Sequence, residues 1–268
     1  MSIWLSVIIL AVLQGLTEFL PVSSSGHLAV LSRLFGVEEN SSLAFGIILH
    51  TGSLAAIVIF YFKILLGFFK KDQLHLLLMV IVGTIPAGIA GVLLKKTGLA
   101  DRIFNDLVST GLAFLVTAAL LRLTSKQKLI PQTQTELKDI TLKQALITGV
   151  VQMFAILPGI SRSGSTISAA ILAGVKYEAA AAFSFLLALP AIAGASLLEI
   201  IELKQDNFNL GEFTPLHLGI GFLVSALTSF GALTLLLYII KKNRLSFFSW
   251  YLSALGLAVL AWQMIKLG

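Results

Sequence analysis

The sequence has no cysteine in its 268 residues. That excludes disulfide cross-links and thiolate metal sites. Charge is almost as scarce: 12% of the residues are Asp, Glu, Lys or Arg, against about 25% in soluble globular chains. So few charges exclude a water-soluble surface. Hydrophobic residues make up 57% of the chain, and they gather into uncharged runs. The runs are Leu43 to Phe62, Gln73 to Leu94, Leu107 to Leu121, Ala179 to Leu198, Phe213 to Ile240 and Leu245 to Ile265. About 20 apolar residues carry a helix across roughly 30 Å of hydrocarbon. With the third run starting near Ile103, six spanning helices are expected. The first hydrophobic stretch has no basic leader, contains Glu18 and runs into a polar segment, so it is expected to be retained rather than removed as a signal peptide. The net charge of +6 reads as basic cytoplasmic loops, and no nucleic-acid partner is expected.

A shift of 138 residues brings the chain onto itself. Gln14 falls on Gln152, and Ser23, Ser25 and Gly26 fall on Ser161, Ser163 and Gly164. Gly36-Val37 falls on Gly174-Val175, Ala44-Phe45 on Ala182-Phe183, Leu49 on Leu187 and Ala55 on Ala193. The polar and glycine matches carry the most weight, because apolar residues coincide easily by chance. In each half a hydrophobic piece is broken by a polar turn, at Glu18 to Gly26 and at Pro158 to Gly164. The pieces after the turns, about Gly26 to Leu34 and Gly164 to Ala173, are too short to span. Irregular backbone at that depth survives only when buried in protein or lining a cavity. The expected fold is therefore an all-α integral membrane protein with an inverted-topology repeat. Each half, residues 1–124 and 143–268, holds a re-entrant helical hairpin (about 3–35 and 143–174) and three transmembrane helices. Residues 125–142 form the linker.

Three crossings per half invert the second half relative to the first. One side then carries Lys63, Lys70, Lys71, Arg122, Lys126, Lys128, Lys138, Lys143, Lys176, Lys241, Lys242 and Arg244, twelve basic residues. The other carries six, Arg33, Lys95, Lys96, Arg102, Lys204 and Lys266, beside acidic residues such as Glu38, Glu39, Glu199, Glu202 and Asp206. The basic side is expected to be cytoplasmic, which puts both termini and the mouth of the first hairpin outside.

The first turn places Gln14 and Glu18 four apart on one helix face, then Pro21 as a breaker, then Ser23, Ser24, Ser25, Gly26 and His27. The second repeats the build with Pro158, Ser161, Arg162, Ser163, Gly164 and Thr166. Helix N-termini attract anions through free N–H groups and the helix dipole, and a guanidinium fork matches phosphate oxygens. Taken singly, the serines also read as helix caps or close-packing positions, and His27 as an interior histidine. Thr17 and Ser168 are expected to bond within their own helices. Glu18 and Arg162 are charges inside the membrane, each costing about 2.5–3.5 kcal/mol there, and they read either as an ion-pair brace or as a site. His50 is expected to be a helix-interior hydrogen-bond partner, with a site role as the alternative. His75 and His217 are expected at the interface with Trp4, Trp250 and Trp262, and Asp101, Arg102 and Asp106 in a solvated loop. Carboxylate, hydroxyls, imidazole and guanidinium together suit attack on phosphorus: a base activates a serine, and Arg162 stabilises charge growing on phosphoryl oxygens. Gln14 and Glu18 alternatively hold a divalent cation that bridges phosphates.

On these two motifs, Gln14 and Glu18 with Pro21 to His27 and the unbroken Pro158 to Thr166, the chain resembles the undecaprenyl-diphosphatase family, the bacitracin-resistance type of membrane phosphatase. Length and helix layout agree over essentially the whole chain. The resemblance implies hydrolysis of undecaprenyl diphosphate to the monophosphate and inorganic phosphate. That reaction recycles the lipid carrier for peptidoglycan synthesis and confers bacitracin resistance, from a site facing outward in the bacterial plasma membrane. It implies Ser24 as nucleophile, with His27 as the alternative, and Glu18 and His27 as acid–base and orienting groups. Arg162 joins Ser23, Ser25, Gly26, Ser161, Ser163, Gly164 and Thr166 around the phosphates. It also implies a divalent cation, Mg2+ or Ca2+, although Gln14 stands where some relatives have a carboxylate. A transporter or flippase of a polyprenyl phosphate or other anion is the rival reading, because broken helices in an inverted repeat are also a transporter layout. The partners expected are the lipid diphosphate and bilayer lipid, with a homodimer compatible with the layout. Because the chain lacks cysteine, orientation is open to direct test: a cysteine placed at Asn207 should react with an impermeant thiol reagent in intact cells, and one at Lys128 should not. The reverse pattern would invert the topology.

Overall fold

A computed structural model of the chain describes residues 3–35, 39–70, 73–97, 107–126, 134–205 and 213–267. The first half contains α1 (Ile3–Phe19), α2 (Ser24–Phe35), α3 (Glu39–Phe60), the short α4 (Phe62–Gly67), α5 (Leu74–Thr97) and α6 (Leu107–Thr124). A 3-10 turn at Leu137–Asp139 precedes α7 (Leu142–Phe154), α8 (Arg162–Leu172), α9 (Tyr177–Gln205), α10 (Pro215–Lys241) and α11 (Ser246–Leu267). Among the described residues five helices, α5, α6, α9, α10 and α11, are long and apolar enough to cross a membrane. The sixth expected run lies in α3, whose apolar stretch Ala44–Phe60 falls in a shorter class. The loop expected at Asp101, Arg102 and Asp106, the repeat match at Gly36-Val37 and the probe positions Asn207 and Lys128 lie outside the described residues.

The two broken segments are helix–turn–helix units. At 1.5 Å per residue the 12-residue α2 reaches about 18 Å, too short to cross. Both second pieces begin two residues earlier than the sequence suggests, at Ser24 and Arg162, because the serine just before each acts as the N-cap. Ser23 Oγ accepts from the Gly26 N–H at 3.3 Å, and Ser161 Oγ accepts from the Gly164 N–H at 3.1 Å. Elsewhere Thr141 and Thr214 form capping boxes at the starts of α7 and α10. His217 belongs to the second box: its Nδ1 accepts from the Thr214 N–H, and the residue is buried at the helix start with its ring against Trp4. His75 is exposed and its Nε2 bonds the Ile140 carbonyl at 2.8 Å, tying the start of α5 to the linker.

α9 lies at the centre, with Phe183, Phe185, Leu186 and Leu187 fully buried, and it packs on α3, α5 and α8. α1 packs on α10 and α7 on α5; α10 packs on α3 as α5 packs on α9, and α6 on α11. Lipid gives apolar side chains no reason to associate, so small residues and interhelical hydrogen bonds set these contacts. Ser53 bonds Ser229 at 2.9 Å, and Ser225 bonds the Leu49 carbonyl at 2.7 Å, clamping α3 to α10. The outer surface is the reverse of a soluble one, with Leu227 and Leu223 72% and 58% exposed. Trp4 and Trp250 are exposed, Trp250 with the Arg122 guanidinium over its ring at 4.8 Å, as interfacial anchors are. Trp262 instead packs against the core.

At the α5–α7 crossing a Cβ built on Gly149 would come within 2.9 Å of Gly83 Cα, backbone that cannot move aside. Gly149→Leu should therefore destabilise the fold by about 1–3 kcal/mol or more. Thermal unfolding in detergent should show it, whereas Gly231→Leu, where a Cβ meets nothing within 4 Å, should leave the midpoint unchanged.

Candidate functional site

The two polar turns touch. A Cβ on Gly26 would lie 3.0 Å from Gly159 Cα, and one on Gly164 would lie 3.1 Å from Pro21 Cβ. These two contacts are the same pair of positions under the shift of 138 residues. Gly159 has φ +88°, a left-handed conformation that glycine adopts freely, which lets the second turn lie flat on α6 beside Thr110. In the first turn the left-handed residue is Ser23, with φ +69°. A non-glycine residue held there is unusual and marks an over-determined turn. Its neighbour Ser24 opens α2 with a half-buried side chain. The hydroxyl pairs match as well: Ser23 with Ser25 at 3.4 Å, and Ser161 with Ser163 at 3.3 Å.

The site is built around Glu18, which lies on the last turn of α1 and is 8% exposed. Its Oε1 accepts from Arg162 Nη2 of the opposite turn. Its Oε2 accepts from the Ser24 hydroxyl at 2.7 Å and from Gln14 Nε2 at 3.0 Å, and His50 Nε2 stands 4.0 Å from the same oxygen. The spacing of four between Gln14 and Glu18 is thus used as the sequence implies, and the two intramembrane charges do meet. Arg162 has a second face: Nη1 is buried without a hydrogen-bond partner. Gln14 Oε1 is in the same condition.

His27 does not join this cluster. Its Nδ1 lies 2.8 Å from the Ser23 carbonyl and its Nε2 lies 2.6 Å from the Tyr251 hydroxyl, with the two rings nearly parallel. The other expected phosphate ligands are mostly engaged with protein. Ser163 donates to the Leu20 carbonyl, and Thr166 Oγ1 reaches both the Arg162 carbonyl and Ser184. Ser25 is exposed. Thr17 bonds the Leu13 carbonyl of its own helix as expected, but Ser168 Oγ is buried without a partner. Two residues go beyond the sequence reading, Tyr251 against His27 and Gln152, and His50 takes its alternative reading by standing beside Glu18. Periodicity could not show the Tyr251 and His50 contacts, because each is made across different helices, and Gln152 has no partner at all. For Gln152 alone a signal existed, its alignment on Gln14.

As a cation site, the pair of Glu18 and the orphaned Gln14 Oε1 offers two oxygen donors on one helix face, a fit for Mg2+ or Ca2+ that arrives with phosphate oxygens of its own. Among the described residues no three His, Cys, Asp or Glu side chains cluster to hold a metal by themselves.

A membrane-embedded bundle in which two broken helices bring a carboxylate, a guanidinium and a serine hydroxyl together defines a multi-pass membrane protein with a buried polar cluster. The chain belongs to the bacitracin resistance protein BacA family, which matches residues 7–258. It is 39% identical over 256 residues to an undecaprenyl-diphosphatase of Carboxydothermus hydrogenoformans, covering 96% of each chain. It is 38% identical over 283 residues to that of Methanosphaera stadtmanae, covering 97% of this chain and 98% of the relative. To undecaprenyl-diphosphatase 4 of Bacillus cereus it is 39% identical over 264 residues, 97% of each.

Removing one member of a buried ion pair strands the other charge, at about 3–5 kcal/mol. Arg162→Met should lower unfolding stability on that scale, and Glu18→Gln added to it should restore most of the loss. If the double variant is no more stable than Arg162→Met, the pair is not what couples the turns.

Proposed function

We propose that the chain hydrolyses undecaprenyl diphosphate to undecaprenyl phosphate and inorganic phosphate, as an undecaprenyl-diphosphatase. The observation that carries the chemistry is the Ser24 hydroxyl donating to Glu18 while Arg162 holds the other carboxylate oxygen. Ser24 Oγ attacks the terminal phosphorus, and its proton passes to Glu18 Oε2. The bond from that phosphorus to the bridging oxygen breaks, and the polyprenyl monophosphate leaves with the bridging oxygen. Glu18 returns that proton to the departing monophosphate; water then attacks the phosphoserine and gives a proton to Glu18, which passes it to the Ser24 oxygen as inorganic phosphate leaves. Arg162, with a free Nη1, neutralises charge on the phosphoryl oxygens. The left-handed Ser23 aims the start of α2 at Glu18. His27, anchored on the Ser23 carbonyl and on Tyr251, holds that turn in place and orients Ser24 from behind. Gln14 and Glu18 would hold a divalent cation, which would screen the negative charges of the diphosphate.

The reading includes an inverted repeat. Exchange of α1–α10 for α7–α5, and of α3–α10 for α9–α5, is the packing that a two-fold relation between halves requires, and the matched turn contacts support it. The loop charges support a bacterial plasma-membrane enzyme with its termini outside and its site open to the extracytoplasmic face.

Purified protein in detergent, given a polyprenyl diphosphate, should release phosphate, and a chelator should lower the rate. Ser24→Ala should abolish release, and Arg162→Ala should reduce it by about 10²–10³. His27→Ala should cost less than Ser24→Ala. A folded wild type that releases no phosphate would sink the hydrolase. Full rate in Ser24→Ala with total loss in His27→Ala would move the nucleophile to His27.

A further inference from the structure

Gln152 is 2% exposed, and neither its Nε2 nor its Oε1 has a hydrogen-bond partner. Leaving both ends of a buried amide unpaired is costly, on the order of 1–3 kcal/mol per group. Such a residue is kept for what it binds. Gln152 lines a cavity of about 410 Å³ between α5 and α9, and Arg162 lines the same cavity. The remaining walls are small and apolar. They run from Thr84 to Val92 on α5 and from Pro190 to Leu198 on α9, toward the C-terminal ends of both helices. At Gly88, Gly91 and Gly194 a Cβ would meet nothing within 4 Å, so the space is a real opening and not a tight helix crossing.

The two polar residues Gln152 and Arg162 that line this cavity carry three orphaned atoms: the donors Gln152 Nε2 and Arg162 Nη1 and the acceptor Gln152 Oε1. Donors beside an apolar channel match an amphiphile whose head is an oxyanion. Arg162 belongs to both places: its Nη2 faces Glu18, and its side chain also lines the cavity. An anion bound by Gln152 and Nη1 would therefore be joined to the Glu18–Ser24 cluster through one guanidinium.

We propose that Gln152 and Nη1 of Arg162 bind the lipid-linked phosphate of the substrate, with the first isoprene units lying in the α5–α9 cavity. This rests on the polyprenyl-diphosphate reading above. When the bond from the bridging oxygen to the terminal phosphorus breaks, negative charge collects on the lipid-linked phosphate, where Gln152 Nε2 donates to it. Oε1 accepts from that phosphate's protonated oxygen. Gln152 is thus the residue that recognises the leaving group, and with it the monophosphate product.

The product separates this role from terminal-phosphate binding. In the wild type, polyprenyl monophosphate and inorganic phosphate should each inhibit hydrolysis. Gln152→Leu, an apolar replacement of similar length that removes the unpaired atoms, should fold normally and weaken inhibition by the monophosphate about tenfold or more. Inhibition by inorganic phosphate should not move. Gly91→Leu, which fills the channel away from the polar atoms, should weaken undecaprenyl monophosphate more than geranyl monophosphate. Calorimetric binding of the monophosphate to Ser24→Ala, with and without Gln152→Leu, needs no turnover. A Gln152 effect on that binding without any wild-type hydrolysis would retire the enzyme and keep the site. Unchanged monophosphate binding in a folded Gln152→Leu chain, or an equal loss of both inhibitors, would overturn the proposal.

Discussion

Glu18 and Arg162 lie 144 residues apart and meet where two helix breaks face each other inside an apolar bundle. Each alone would be an expensive charge at that depth. Joined, they fasten the tip of one hairpin to the tip of the other and turn two irregular stretches of backbone into a single buried surface. The remaining geometry follows. Ser24 can donate to Glu18 only because Ser23 takes a left-handed turn, and that turn is held by the His27 ring on the Ser23 carbonyl. The guanidinium keeps one nitrogen for Glu18 and has the other buried without a partner. A brace and a site are therefore not competing readings of these two residues, because the contact that braces the turns still leaves Nη1 unpaired.

Much of this was legible in the sequence because a membrane makes its rules strict. Long uncharged runs could only be buried helices, and Pro21 and Pro158 next to serine and glycine could only be breaks. Membrane insertion makes a buried Glu and a buried Arg rare enough that each points at the other. The helix starts were off by two residues because the caps are Ser23 and Ser161, and capping is a matter of φ and one side-chain rotamer, not of composition. The role of His27 was less visible. Its place beside the serines suggests a proton shuttle, yet both ring nitrogens face the Ser23 carbonyl and Tyr251, and nothing local marks a tyrosine more than two hundred residues away. His50 reads as a helix-interior residue until α3 is laid against α1, when it stands beside Glu18.

The two halves differ where function requires it. Gln14 and Gln152 occupy matching positions, but Gln14 is tied to Glu18 and Gln152 is free. The position four residues after Gln152 is Ile156, so the second half has no carboxylate to engage its amide. The surroundings diverge in the same sense. Between α3 and α10, Gly52 sits against the Phe222 carbonyl, and Ser53 bonds Ser225 and Ser229, which closes that crossing. Between α5 and α9 the equivalent space is the open cavity that leads to Arg162. A scaffold that passes its ligand through would need both crossings to open in turn, and three serine hydroxyls bonded across the α3–α10 crossing oppose that. A cavity at the α5–α9 crossing, beside a cluster whose carboxylate comes from one turn and whose guanidinium comes from the other, suits a hydrolase better than a carrier.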